Sequence, residues 1–335
     1  MIDTNNAFLS DDSKAILLIC SDIVVKYVKN VDLKPLTVAE WNKISKKLLD
    51  SSMKSPKAFF DTTVDDWRAH LDISQDEAER IENLLKQSAY LGFELERLAN
   101  MGIWVTTRAE KTYPTALKSK LKYKSPVVLY CSGNPDLFEE EGIAIVGSRN
   151  VDEDGMNFAQ VVARKCANER LTVISGGAKG VDTIAQMAAL SSDGTVISVL
   201  ADSMEKVVRR RELRDAIIEN KLLIVSPFNP ESTFKIYNAM DRNKYIYALS
   251  KAAIVVSSDY GKGGTWSGAT ENLKNGWVPL YVRNGSNVPQ GNLELIKKGA
   301  ITLDENMVYD EMRKLTDILV DGKSKDPEQI RLFDF

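Results

Sequence analysis

Histidine is almost absent from this chain. His70 is the single one among 335 residues, so a Ser-His-Asp triad, a Cys-His pair or a histidine-rich metal site would have to be built on it alone. It stands in a polar helical stretch, Asp65 to His70, with no motif around it, and reads as a surface or interface residue. Cysteine is nearly as scarce. Cys20, Cys131 and Cys166 lie far apart and form no CxxC pair, which excludes a disulfide framework and a thiolate zinc site and suits a reducing, cytoplasmic compartment. No apolar run approaches the roughly 18 to 20 residues of a membrane span; the longest early one is Ala15 to Cys20. The opening Ile2-Asp3-Thr4-Asn5 shows no basic segment followed by an apolar core, so no secretory leader is expected. Positive charge is not in excess either. With 44 Lys plus Arg against 47 Asp plus Glu, the net charge is −3. That excludes a protein that coats nucleic acid by bulk charge, and any polyanion site must be a local patch.

What is present is ordinary globular composition, 44% hydrophobic and 27% charged, with length for about two domains. Residues 1–95 read as a helical N-terminal module. Trp41, Ile44, Leu48 and Leu49 recur at helical spacing, as do Ile81, Leu84 and Leu85, and Ser74 is placed to cap a helix opening with Asp76, Glu77 and Glu79. Glycine does not occur before Gly92, which fits helices joined without tight turns. Residues 96–141 read as a connecting subdomain with strand candidates Ile103–Thr107 and Val127–Tyr130.

From 142 to about 305, short charge-poor strands alternate with amphipathic helices. The strands are Ile143–Val146, Thr172–Ile174, Val196–Leu200, Leu222–Val225, Ala253–Ser257 and Val278–Val282; the helices are Asp152–Asn168, Val181–Ser191, Glu205–Asn220, Lys235–Leu249 and Thr265–Asn275. This predicts an α/β, Rossmann-like core: a mostly parallel sheet with helices on both faces and right-handed crossovers. Residues 306–335 read as an acidic helix, a linker from Asp321 to Pro327, and a peptide tail.

Ligands of such sheets lie beyond the carboxyl ends of the strands. There the sequence places Gly147-Ser148-Arg149-Asn150, then Ser175-Gly176-Gly177-Ala178-Lys179-Gly180, then Gly261-Lys262-Gly263-Gly264-Thr265, while Arg242-Asn243-Lys244 sits on the helix before the fifth strand. Glycines let backbone N–H groups approach an anion, helix N-termini add partial positive charge, and Arg149, Lys179, Arg242 and Lys262 add full charges. Each loop alone reads as tight turn geometry; four segments meeting at one edge point to a phosphate site. Two other phosphate readings fail. Gly147 lacks the partners of a GxGxxG fingerprint, and Gly261-Lys262 is followed by Gly263 instead of the Ser or Thr of a Walker A loop.

These segments resemble the DprA (Smf) family. The likeness runs from about Tyr113 to Ala300: Tyr113-Pro114 through Leu117, Pro126 to Leu129 and Gly133-Asn134 as the lead-in, then Ala144 to Arg149, then Ser175 to Asp182 with Ala188-Ala189-Leu190. It continues with Arg242-Asn243-Lys244 and closes with Gly291-Asn292 through Gly299-Ala300. The resemblance implies a protein that binds single-stranded DNA in a basic pocket, acts as a homodimer, helps load a RecA-type recombinase, and needs neither cofactor nor metal nor catalytic residue. It carries pocket roles onto Ser148, Arg149, Gly176, Gly177, Lys179, Arg242 and Asn243. Gln186 stands where the family has histidine, and Lys206, Arg209, Arg210, Arg211 and Arg214 fill the region of its missing Tyr-Pro. To these the site adds Gly147, Lys244, Lys262, Gly264 and Thr265, with Trp266, Tyr237 and Tyr260 as stacking candidates; Tyr245 and Tyr247 read as core. Arg149 and Arg242 are expected to hold phosphates.

The tail Gln329-Ile330-Arg331-Leu332-Phe333 resembles the pentapeptide by which bacterial proteins dock on the DNA sliding clamp, with Gln329 in one subsite and Leu332 and Phe333 in an apolar pocket. Two alternatives stand beside DNA binding. Gly263-Gly264-Thr265 with Glu271 nearby loosely echoes the GGxGTxxE loop of phosphoribohydrolases, in which Glu271 or Asp182 would serve a small nucleotide. The other is an adaptor that binds the clamp without binding DNA.

Overall fold

The computed structural model describes residues 9–28 and 33–324, the last five as backbone only. The described residues divide into two compact units: one drawn from 1–133, 203–210 and 225–233, the other from 134–202, 211–224 and 234–335.

The first unit opens with five helices: α1 (Asp11–Cys20), α2 (Val38–Asp50), α3 (Val64–Leu71), α4 (Gln75–Leu85) and α5 (Ser88–Ala99). Three of them start at reciprocal caps, in which a hydroxyl accepts from the third helical N–H and the acid there accepts from the cap N–H: Thr37 with Glu40, Thr63 with Asp66, Ser74 with Glu77. The expected apolar faces are buried at Trp41, Ile44, Leu48, Ile81 and Leu84, while Leu49 is exposed. The turns that lack glycine place Lys54 and Asp72 in the left-handed region instead. An antiparallel pair follows, β1 (Trp104–Thr107) and β2 (Val128–Gly133), with α6 (Thr115–Leu121) between them. Helix α1 packs on both strands, which is why residues 96–133 cluster with the helical module.

Two returning segments join this unit around Glu94. Its buried carboxylate accepts from Tyr27 and from Arg97 (2.9 Å), with Lys26 at 3.1 Å. Burial alone would raise its pKa, but the bonds from Arg97, Tyr27 and Lys26 hold it below the usual carboxylate range. Arg97 also reaches Glu205 (2.7 Å) and Glu231 (2.8 Å), one on each returning segment.

The second unit is the alternating α/β part. In chain order it holds β3 (Gly142–Gly147), α7 (Glu153–Asn168), β4 (Thr172–Ser175), α8 (Val181–Ser191) and β5 (Val196–Val199). The expected helix over 205–220 is two. Of these, α9 (Met204–Val207) buries Met204 and Val207 in the first unit, whereas α10 (Arg211–Ile218) buries no residue. Then come β6 (Leu222–Ser226, of which residues 222–224 belong to this unit), α11 (Ile236–Leu249), β7 (Ala252–Ser257), α12 (Gly263–Asn275), β8 (Leu280–Asn284) and α13 (Gln290–Lys297). The described residues end with β9 (Ile301–Asp304), α14 (Glu305–Tyr309) and α15 (Leu315–Ser324). Helix α15 continues through Ser324, so the first part of the expected linker is helical; its first N–H groups donate to Glu169. The tail residues Gln329, Leu332 and Phe333 lie outside the described residues.

The strand order within this unit is β6-β5-β4-β3-β7-β8-β9, parallel from β5 to β9. Strands β3 to β8 are buried on both faces, as charge-poor strands should be. The chain winds outward from β3 to β6, then crosses back to lay β7 against β3. The order therefore reverses between β3 and β7, and a crevice opens beyond their carboxyl ends. Buried Asn292 secures that end: its amide donates to Val256 O and Arg283 O (both 3.0 Å) and accepts from Ser258 N–H (2.8 Å). Gly291 must be glycine, because a Cβ there would run into the Ser258 carbonyl. No described helix is long and apolar enough to cross a membrane.

Replacing Asn292 by Ala leaves three backbone groups unpaired in a buried place. Urea unfolding should show a loss of about 2–4 kcal/mol; a loss below about 0.5 kcal/mol would show that the strand ends do not depend on it.

Candidate nucleic-acid interface

A depression of about 510 Å³ lies at the reversal point. Three strand-end loops and one helix face build it, all from the second unit. The turn after β3 is held by Ser148 N–H donating to Ser257 O (2.8 Å), and Asn150 N–H donates to the Ser148 hydroxyl (3.2 Å). That leaves Arg149 exposed at the lip, its guanidinium 5.4 Å from the centre of the Phe234 ring. Opposite stands the N-terminus of α12, where Gly263, Gly264 and Thr265 line the depression beside Lys262. The first N–H groups of this helix have no intrahelical acceptor and can serve an anion. Asn243 on α11 donates to Gly264 O (3.0 Å), tying helix to loop.

Arg242 forms the floor. It is 5% exposed, its Nη1 lies 4.0 Å from Asp182 Oδ2, and its Nε has no partner. The guanidinium lies over Gly176, where a Cβ would overlap it. Burial pushes the Asp182 carboxyl up, with Arg242 and the backbone N–H groups of Ala178 and Gly176 opposing. Burial also pushes Arg242 down; Asp182 opposes this and Arg149 adds to it. The Asp182 carboxylate accepts from Gly176 N–H (3.1 Å). Arg242 is thus a cation poorly matched by its own protein, at the base of a cavity.

The structure brings together Gly147, Ser148, Arg149, Arg242, Asn243, Lys262, Gly264 and Thr265 around one cavity. It does not bring Gly176, Gly177, Lys179, Lys244 or Trp266 to that lining. Gly176 seats Arg242, and Gly147 is glycine because a Cβ would press on Val181. Gly177 (φ 64°) gives a left-handed turn. Lys179 lines a neighbouring depression with Arg149. Lys244 is paired with Asp241 and lies over Tyr245. Trp266 meets Tyr260 edge-on at 5.1 Å, with Lys298 6.0 Å from its ring. Tyr245 and Tyr247 are buried, as expected of core residues. Glu271 is not at the cavity, and His70 is exposed on α3.

Sequence reasoning missed the apolar wall of Phe234, Ile236 and Met240. Phe234 is 44% exposed and Ile236 75%. The signal was there: Phe234-Lys235-Ile236-Tyr237 places more apolar surface at the start of a helix than its core face can bury.

A family model described as DNA recombination-mediator protein A matches residues 104–313. The chain is 30% identical over 217 residues to DNA processing protein DprA of Streptococcus pneumoniae, covering 63% of this chain and 73% of that protein. The structure of the pneumococcal protein matches with a TM-score of 0.58 at 24% identity, over 80% of this chain and 95% of that one. DNA processing protein A of Helicobacter pylori, solved for insight into its single-stranded DNA binding mode, matches with a TM-score of 0.52 at 26% identity, over 65% and 96%. Protein Smf of Escherichia coli is 30% identical over 197 residues, and the chain covers 52% of its length.

The floor can be tested by a double-mutant cycle. Gly176→Ala should cost about 1–3 kcal/mol in urea unfolding. In an Arg242→Ala background most of that cost should vanish, because the overlapping group is gone. An equal cost in both backgrounds would show that Gly176 answers to some other neighbour.

Proposed function

The chain belongs to the DNA recombination-mediator protein A family, and on that footing we propose that its second unit binds single-stranded DNA at the β3/β7 crevice. The observation that supports this most is one cavity with two kinds of wall. Arg149, Lys262 and the N–H groups opening α12 form a phosphate side; Phe234, Ile236 and Met240 form an apolar side against which bases can lie. Binding without sequence preference asks for that pairing. Buried Arg242 acts as a fixed positive floor beneath the strand, and Arg149 takes the direct phosphate contact.

We assign the cavity no catalytic step. Its carboxylates are Asp182, engaged by Gly176 N–H beside Arg242, and exposed Asp259. Glu271, which a nucleotide-hydrolysing reading would use, is not at the cavity. We extend the proposal to action as a homodimer that delivers its strand to a RecA-type recombinase. The segment Gln329, Leu332 and Phe333 would dock on the sliding clamp. A pull-down with a Leu332→Ala, Phe333→Ala double variant should lose clamp capture; unchanged capture, or none by the wild type, removes that part.

Fluorescence anisotropy with labelled oligo-dT tests the main reading. Wild type should bind with an affinity that falls with salt, by a log–log slope of about −0.7 for each phosphate neutralised. Arg149→Ala should weaken binding roughly 10- to 100-fold and flatten the slope by about 0.7. Phe234→Ala should cost about 1–3 kcal/mol with the slope unchanged. Absence of salt-sensitive binding by the wild type would overturn the proposal.

A further inference from the structure

Two shallow depressions lie beside the crevice; the first shares two lining residues with it, and the next shares one with the first. The first, of about 650 Å³, shares Arg149 and Asn150 with the crevice and adds Lys179, Met156 and Ile184. The next, of about 390 Å³, shares Ile184 and is lined by Gln160, Arg164, Met187 and Ser191. On α7 the lining residues 156, 160 and 164 recur every four positions; on α8 they are 183, 184, 187, 188 and 191. Each set is one helix face. Both helices begin at strand ends and pack against each other, so these faces form a trough leading away from the crevice between them.

The chemistry along the trough is consistent. Arg149 and Lys179 stand at its head and exposed Arg164 lies further down, while Met156 (36% exposed), Ile184 and Met187 (38% exposed) make an apolar, polarisable floor. Its one carboxylate, Asp152, accepts from Gly155 N–H (2.8 Å) and faces the buried Arg283 guanidinium at 3.6 Å, so its charge is answered from within. Cations along an uncharged apolar floor suit a strand with phosphates on the rim and bases laid on methionines.

We propose that this trough is the path by which the strand bound at the crevice continues. The inference rests on the single-stranded DNA reading. From Met156 to Arg164 the helix rises about 12 Å, room for about two to four further nucleotides. The occupant is the same polynucleotide, because the trough is continuous with the crevice through Arg149 and its free charges are of one sign.

The test is a length series of labelled oligo-dT, from dT4 to dT20, titrated against the full chain as wild type, Arg164→Glu and Met187→Ala. Both substitutions are on the surface, and unchanged urea midpoints would confirm intact folding. Wild-type affinity should rise with length beyond dT4 by more than the count of equivalent registers. Arg164→Glu should leave dT4 within about twofold, weaken dT20 about tenfold, and flatten its salt slope by about 0.7. Met187→Ala should weaken dT20 severalfold with the slope unchanged. If wild type binds no oligo-dT of any length, the reading of the crevice itself fails. If it binds dT4 and dT20 alike, or if the variants weaken both equally, the trough is not the path while the crevice stands. If sedimentation shows the variants changing oligomeric state with DNA affinity unaltered, the face belongs to a second copy and the inference is overturned.

Discussion

The guanidinium of Arg242 occupies the space that a side chain at position 176 would fill. Most of the candidate interface follows from that substitution of one residue's volume for another's. Helix α11 can approach the turn after β4 only because Gly176 has no Cβ, and the Asp182 carboxylate that faces Arg242 also takes the Gly176 N–H. The contact brings Asn243 within reach of Gly264, which sets the start of α12 against the cavity. A buried arginine facing a single carboxylate at 4.0 Å is not a strong source of stability. Its value lies in placing a fixed positive potential under a cavity whose lip carries further cations.

The same contact shows what could and could not be read from the sequence. The strand ends, their loops and the crevice at the reversal of strand order were legible, because charge-poor strands alternating with amphipathic helices leave few topologies. The division of labour among the loop residues was not. Gly176 and Gly147 read as seats for an anion; Gly176 makes room for Arg242, and Gly147, in the cavity lining, makes room for Val181. Either role requires glycine at that spacing, and the packing around it, not the sequence, separates a backbone that approaches a ligand from one that makes room for a side chain. Lys244 and Trp266 stand beside site residues in sequence, yet Lys244 pairs with Asp241 and Trp266 meets Tyr260.

Elsewhere the misses have equally local causes. Strand β9 is a four-residue edge strand in which Leu303 is the buried residue, too short and too alternating to stand out beside its apolar neighbours. The helix expected over 205–220 breaks because its first half is held by Arg97 through Glu205 while its second half buries no residue. That tie is formed across more than a hundred positions, and no periodicity within the segment could announce it. The association of 203–210 and 225–233 with the N-terminal helices has the same origin.

The Arg149 guanidinium rests against the Phe234 ring. A long side chain free in solvent gives up rotamer entropy when it grips a ligand, a cost of order 0.5–1.5 kcal/mol. Here part of that restriction is incurred during folding, since the aromatic face already narrows where the cation can lie. Preorganisation of this kind favours a lip that engages and releases successive phosphates with little rearrangement, so a strand could shift register across it without the arginine having to search for each new contact.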